Sequence, residues 1–123
     1  MATIKSFTDI EQSKKLAEIL PIESADMYYE PSTGYCTEPS EVRFGDIKYA
    51  HPRSIRCWSF LALFNVLPKI GAEEPMVRKL YYANEPKERY ICQYGIANIT
   101  SEYDNPIDAC YEMIIKLNEL NLL

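Results

Sequence analysis

A chain of 123 residues, 47 % hydrophobic and 25 % charged, has the size and composition of one globular domain that builds a core without metals or cross-links. Four scattered cysteines and one histidine, with no C-x-x-C pair, argue against a zinc site. A net charge of −5 disfavours a nucleic-acid binder, and the longest apolar stretch, residues 57–67, is too short to span a bilayer.

Thr8 followed by Glu11 fits a capping box for a first helix, with Phe7 placed as the staple residue before it. Ile10, Leu16, Ala17, Ile19 and Leu20 give that helix an apolar face, and Pro21 ends it. Lys5, Asp9, Glu11, Lys14 and Lys15 break up any apolar leader, so a cytoplasmic chain with reduced cysteines is expected. Residues 22–30 read as a short extended segment, and 31–41 as a loop rich in Pro, Ser and Gly. Residues 42–44 and 47–49 are candidate short strands on either side of Gly45-Asp46.

A second helix is expected to start between Ser54 and Cys57 and to end before Pro68; it is apolar nearly all round and so belongs at the centre of the fold. Residues 76–82 and 88–94 are rich in Val, Leu, Ile and Tyr and flank a turn at 83–87, which predicts an antiparallel hairpin. Alternation places Met76, Arg78, Leu80 and Tyr82 on one face, and Tyr90, Cys92 and Tyr94 together on one face of the partner strand. Residues 96–99 are expected to extend that strand. The last helix follows from Asn105 as cap, Pro106 at the first position, Asp108 in the first turn, and a stripe of Ile107, Cys110, Met113, Ile114 and Leu117. The expected architecture is α+β: three helices packed on a small, mostly antiparallel sheet containing a hairpin near 76–94, in a single domain over 1–123.

Three blocks carry a resemblance: residues 12–27 (QSKKLAEILPIESADM), the Cys57-Trp58-Ser59 unit through Leu67-Pro68, and residues 105–123 beginning NPIDAC and ending LNELNLL. Together they resemble a family of short uncharacterised proteins from gut Bacteroidetes and their phages and mobile elements. The family has no established activity, so the resemblance implies no catalytic residue. Members often carry proline just before the Cys-Trp-Ser unit, where this chain has Arg56. The shared blocks fall on the expected helices, which suggests a fixed helical scaffold presenting a changeable sheet-and-loop surface.

No Walker motif, dinucleotide fingerprint, nucleophile elbow or zincin motif is present, so no catalytic residue and no cofactor are expected. Cys57 at a helix N-terminus beside His51 would suggest a lowered thiol pKa, although a buried structural thiol is the simpler reading. Lys48, His51, Arg53 and Arg56 precede the second helix and form a candidate anion site, or else pair with the acidic segment 23–46. The hairpin mixes Arg78, Lys79, Lys87 and Arg89 with Tyr81, Tyr82 and Tyr90, as single-strand binders do, but Glu85 and Glu88 dilute its charge. Eight of the ten tyrosines lie between residues 28 and 94. Tyr offers large contact area at low rotamer cost, so Tyr28, Tyr29, Tyr81 and Tyr90 are the candidate contacts for a protein partner. The sequence therefore points to a non-enzymatic interaction module. A small enzyme or anion-binding domain is the alternative.

Overall fold

The computed structural model describes residues 5–31, 39–45, 53–84 and 86–123. Among the described residues, three helices and six short strands follow in the order α1 (Ile10–Ile19), β1 (Met27–Pro31), β2 (Pro39–Phe44), β3 (Ile55–Cys57), α2 (Phe60–Val66), β4 (Pro75–Leu80), β5 (Arg89–Tyr94), β6 (Asn98–Ile99) and α3 (Pro106–Glu119). The class is α+β, with the strands divided between two antiparallel three-stranded sheets, ordered β2-β1-β3 and β4-β5-β6. The chain separates into two compact units, one of Phe7–Ala62 and one of Lys5 and Ser6 with Leu63–Leu123. No helix among the described residues is long and apolar enough to cross a membrane.

In the first unit α1 is capped one residue later than the sequence suggests. Asp9 accepts from the Gln12 amide at 2.8 Å, and the Gln12 side chain accepts from the Asp9 amide at 3.1 Å. Thr8 loses this role because its hydroxyl is buried, where it accepts from the Trp58 amide at 3.1 Å and shares a hydrogen bond with Ser13 at 2.8 Å. Replacing Asp9 with Ala is expected to cost about 0.5–2 kcal/mol, measured as a shift in denaturant midpoint, whereas Glu11→Ala should change little.

β1 is the centre of the first sheet and pairs Met27 with Phe44 and Cys57, Tyr28 with Arg43 and Arg56, and Tyr29 with Val42 and Ile55. The two-residue alternation of a strand sends Met27 and Tyr29 inward, where they form a core with Cys57 against Phe7, Ile10, Val42 and Ile55. Just ahead of β1, residues 22–24 form a single 3-10 turn. Residues 55–57 are strand, not the first turn of the second helix, because they complete the ladder on β1. The helix starts only at Phe60, and the Ser59 hydroxyl before it accepts from the Ala62 amide at 3.3 Å. Nor is α2 buried all round, since Leu61 is 67 % exposed. The strand candidate at 47–49 lies outside the described residues.

In the second unit the expected hairpin is present, with β4 and β5 paired from Pro75↔Tyr94 to Leu80↔Arg89 without a bulge. β5 is central, and its residues from Tyr90 to Tyr94 are all buried. Residues 96–99 do not prolong β5. A turn at Gly95 (φ +57°) reverses the chain into β6 instead. The turn is followed by further pairing, as Tyr90 and Tyr103 exchange backbone hydrogen bonds of 2.7 and 2.9 Å. α3 packs on β5 and buries the whole predicted stripe of Ile107, Cys110, Met113, Ile114 and Leu117. Its cap is the expected one, with Asn105 accepting from the Asp108 amide at 2.8 Å.

Candidate functional site

The four tyrosines separate by burial. Tyr29 is 9 % exposed and its hydroxyl donates to the Thr8 carbonyl at 2.6 Å, so ring and hydroxyl are both committed to the core of the first unit. Tyr28 points the other way, half-buried, between its cross-strand neighbours Arg43 and Arg56. Tyr90 is 9 % exposed on β5, whereas Tyr81, just past the end of β4, is 71 % exposed.

Tyr81 and Tyr90 meet around Lys79. The hairpin register sets Lys79 directly opposite Tyr90. Its ammonium sits 5.6 Å from the centre of the Tyr81 ring and 5.9 Å from that of Tyr90. The Glu88 carboxylate receives Lys79 at 3.0 Å and the Tyr90 hydroxyl at 3.2 Å. Glu88, followed by Tyr81, holds the Lys79 pKa above its ordinary value. Burial, followed by the hydrogen bond to Glu88, raises that of the Tyr90 phenol. At neutral pH the cluster is therefore a fixed ammonium braced by two aromatic rings. Its chemistry suits contact and charge recognition. Period-two alternation alone groups Met76, Arg78 and Leu80, but Lys79 could be set against Tyr90 only by knowing the length of the connecting loop.

Of the residues proposed for an anion site, only Arg53 and Arg56 are among those described. Lys48 and His51 lie outside the described residues, and Arg53 is exposed. The Arg56 guanidinium donates to the Ala17 carbonyl at 3.0 Å and the Leu20 carbonyl at 3.4 Å, so it satisfies acceptors left open at the end of α1. The start of α2 already holds an internal anion. Asp26 accepts from the Ser59 amide at 2.9 Å and from the Ser59 hydroxyl. Nearby, an open cavity of about 300 Å³ is lined, among the described residues, by Glu23, Ala25, Asp26 and Gly45.

Cys57 is the buried thiol of the simpler reading, placed in a different element. It is a buried strand residue rather than the opening of a helix, with its thiol 3.5 Å from the Thr8 hydroxyl and 3.4 Å from the Thr8 carbonyl. Burial raises its pKa, the opposite of what activation requires. Cys92 and Cys110 are also fully buried, and the Cys110 thiol is held protonated by its hydrogen bond to Cys92 and by burial. Among the described residues no group of His, Cys, Asp and Glu is arranged to hold a metal ion.

These raised values make an alkaline prediction. Burial, then the nearby Cys92 and Cys110, push the Tyr94 phenol from its ordinary 10.0 up to about 12. The folded state holds this proton more tightly than the unfolded chain. The resulting stability is complete below pH 10 and is lost as pH rises through 12. Cys57 acts in the same sense from its ordinary 9.0 upward. Urea midpoints should therefore fall steadily above pH 9, and Cys57, Cys92 and Cys110 should react with a thiol reagent only on unfolding. Fast labelling of any of the three in the native protein would contradict their placement.

The chain matches no family model, no curated protein and no solved structure.

Proposed function

We propose that the protein is a non-enzymatic, cytoplasmic interaction module that binds another protein through the aromatic, basic end of the β4–β5 hairpin. One observation supports this reading above the others. Tyr81 stays 71 % exposed while the Lys79 ammonium lies over its ring, so a large contact side chain is presented in a set orientation. Rings of this kind anchor protein interfaces because little rotamer freedom is lost when they are covered. Met76 and Tyr82 are also exposed on the same hairpin, and Tyr82 is tethered by its hydroxyl to Glu102. Of the tyrosines named from sequence, Tyr81 is the contact residue, Tyr28 is half-buried, and Tyr29 and Tyr90 support the framework. The resemblance of the three helical blocks to proteins of phages and mobile elements supports an origin in such an element.

The test is capture of partners by the tagged full-length chain from its native host, with Tyr81→Ala and Tyr29→Ala as variants. The Tyr81 variant should keep its melting temperature and lose a specifically captured protein. The Tyr29 variant should be destabilised. If Tyr81→Ala captures the same proteins in the same amounts, the hairpin is not the contact surface.

A further inference from the structure

We propose that the outer edge of β4 receives an extended, acidic segment of a partner protein as an added strand. This names the partner chemistry of the hairpin and rests on the interaction reading above.

β4 ends the sheet order β4-β5-β6, and among the described residues no other strand pairs with it. In an antiparallel ladder, alternate N–H and C=O groups of such a strand point away from its one neighbour and remain available to a further strand. Natural edges are commonly blunted by bulges, internal prolines or extreme shortness. β4 has none of these between Met76 and Leu80: its six pairs with β5 run without a register shift, and its one proline stands at the first position; what guards it is charge, Arg78 and Lys79, which repels a basic strand but not an acidic one.

The side chains along this edge specify the charge of the added strand. Arg78 is exposed on one face and Lys79 on the other, because successive strand residues alternate. Residues 75–94 carry four basic side chains against Glu85 and Glu88, in a chain whose net charge is −5. An added strand with carboxylates on both faces would set one beside Arg78 and the next beside Lys79, where it would share the ammonium with Glu88. Met76, half-exposed on the Arg78 face, and Tyr81 at the exit of the strand supply apolar contact at either end. A second copy of the chain is a poorer occupant. Antiparallel pairing of two β4 edges centred on Arg78 sets the two Arg78 side chains opposite one another, and centred on Lys79 the two Lys79 side chains, which is destabilising. A single-stranded nucleic acid is poorer too, because Tyr90 is buried and the Tyr82 hydroxyl is held by Glu102, leaving Tyr81 as the most exposed of the three rings.

Fluorescence anisotropy with the full chain tests the proposal. The probes are a labelled peptide of about nine residues, within the usual range of strand lengths, in which Glu-Glu and Thr-Thr pairs follow one another so that carboxylates fall on both faces, its Lys-Thr counterpart, the Glu-Thr peptide N-methylated at alternate amides, and an oligo-dT strand. The Glu-Thr peptide should bind and the Lys-Thr peptide should not. N-methylation, which keeps the charge but blocks the ladder, should weaken binding by about tenfold or more, as should Arg78→Gln and Lys79→Gln. Both side chains are exposed, and unchanged melting temperatures will confirm that the variants fold. Equal binding of the methylated peptide, tighter binding of oligo-dT, or no binding of the acidic peptide at low salt each overturns the proposal. If the acidic peptide fails while Tyr81→Ala still abolishes capture of a cellular partner, strand addition falls and the interaction reading stands. If Tyr81→Ala has no effect either, both fall.

Discussion

Replacing Trp58 with Ala is expected to destabilise the protein by about 3–5 kcal/mol, the range for deleting a fully buried aromatic side chain. Trp58 has no exposed surface and sits where three segments of the first unit meet. Its backbone is held to Thr8 by two hydrogen bonds, one from the Thr8 amide to its carbonyl at 2.9 Å and one from its own amide to the Thr8 hydroxyl at 3.1 Å. Its indole N–H donates to the Ser24 hydroxyl at 3.0 Å, and that hydroxyl in turn donates to the Pro21 carbonyl at 2.6 Å. The ring thus joins the turn after α1 to the segment between β3 and α2. Trp58→Phe keeps an aromatic ring and loses the indole donor, so a smaller loss is expected. The hydrogen-bond share should be about 1 kcal/mol, because half-exposed Ser24 can turn to water. Urea midpoints at unchanged slope read both effects. A Trp58→Ala midpoint equal to wild type would show that this residue does not fill the core.

The parts of this structure legible in the sequence are those fixed by neighbours along the chain. α3 was complete in outline because cap, first-turn proline, acidic first turn and apolar stripe all lie within one helix. α1 shows how a local signal can be read one residue out of place. The sequence offers two overlapping boxes, Thr8 with Glu11 and Asp9 with Gln12, and both are chemically reasonable. The choice is made elsewhere, by Trp58 and Ser13, which draw the Thr8 hydroxyl inside. Residues 55–57 are ambiguous in sequence for a related reason. Their composition suits a buried helix as well as a strand, and only the need of β1 for a second partner decides between them.

The candidate site was legible in residue type and not in exposure. Composition singles out Tyr28, Tyr29, Tyr81 and Tyr90 alike, yet burial separates the inward Tyr29 and Tyr90 from the outward Tyr81. For the pair on β1, alternation states only that Tyr28 and Tyr29 face opposite ways. Which of them faces inward depends on where α1 and Thr8 lie. Arg56 illustrates the same limit for charge. It stands among basic residues that suggest an anion, but the nearest acceptors that the fold supplies are the carbonyls at the end of α1.

Leu117→Ala is expected to cost about 2–5 kcal/mol, set by the transfer of the lost atoms and by the cavity left behind. Leu117 is essentially fully buried in the last full turn of α3, on the stripe that continues Cys110, Met113 and Ile114 toward the end of the helix. Helix ends often fray, and a frayed end would relax into the vacated space and lower the cost. Here the end is fastened. The Leu120 amide donates to the Lys116 carbonyl at 3.1 Å, Asn121 adopts a left-handed conformation (φ +58°), and the Leu122 amide returns to the Leu117 carbonyl at 2.9 Å. This wrapped terminus resembles a Schellman-type closure, and it restricts the movement that would collapse a cavity. The cost should therefore fall in the upper part of the range. Leu120→Ala removes the same atoms from a side chain that is more than half exposed, and should cost within about 0.5 kcal/mol, as surface substitutions do. The contrast between the two leucines is the decisive measurement. Equal midpoints for the two variants would mean that the end of α3 does not pack on the sheet.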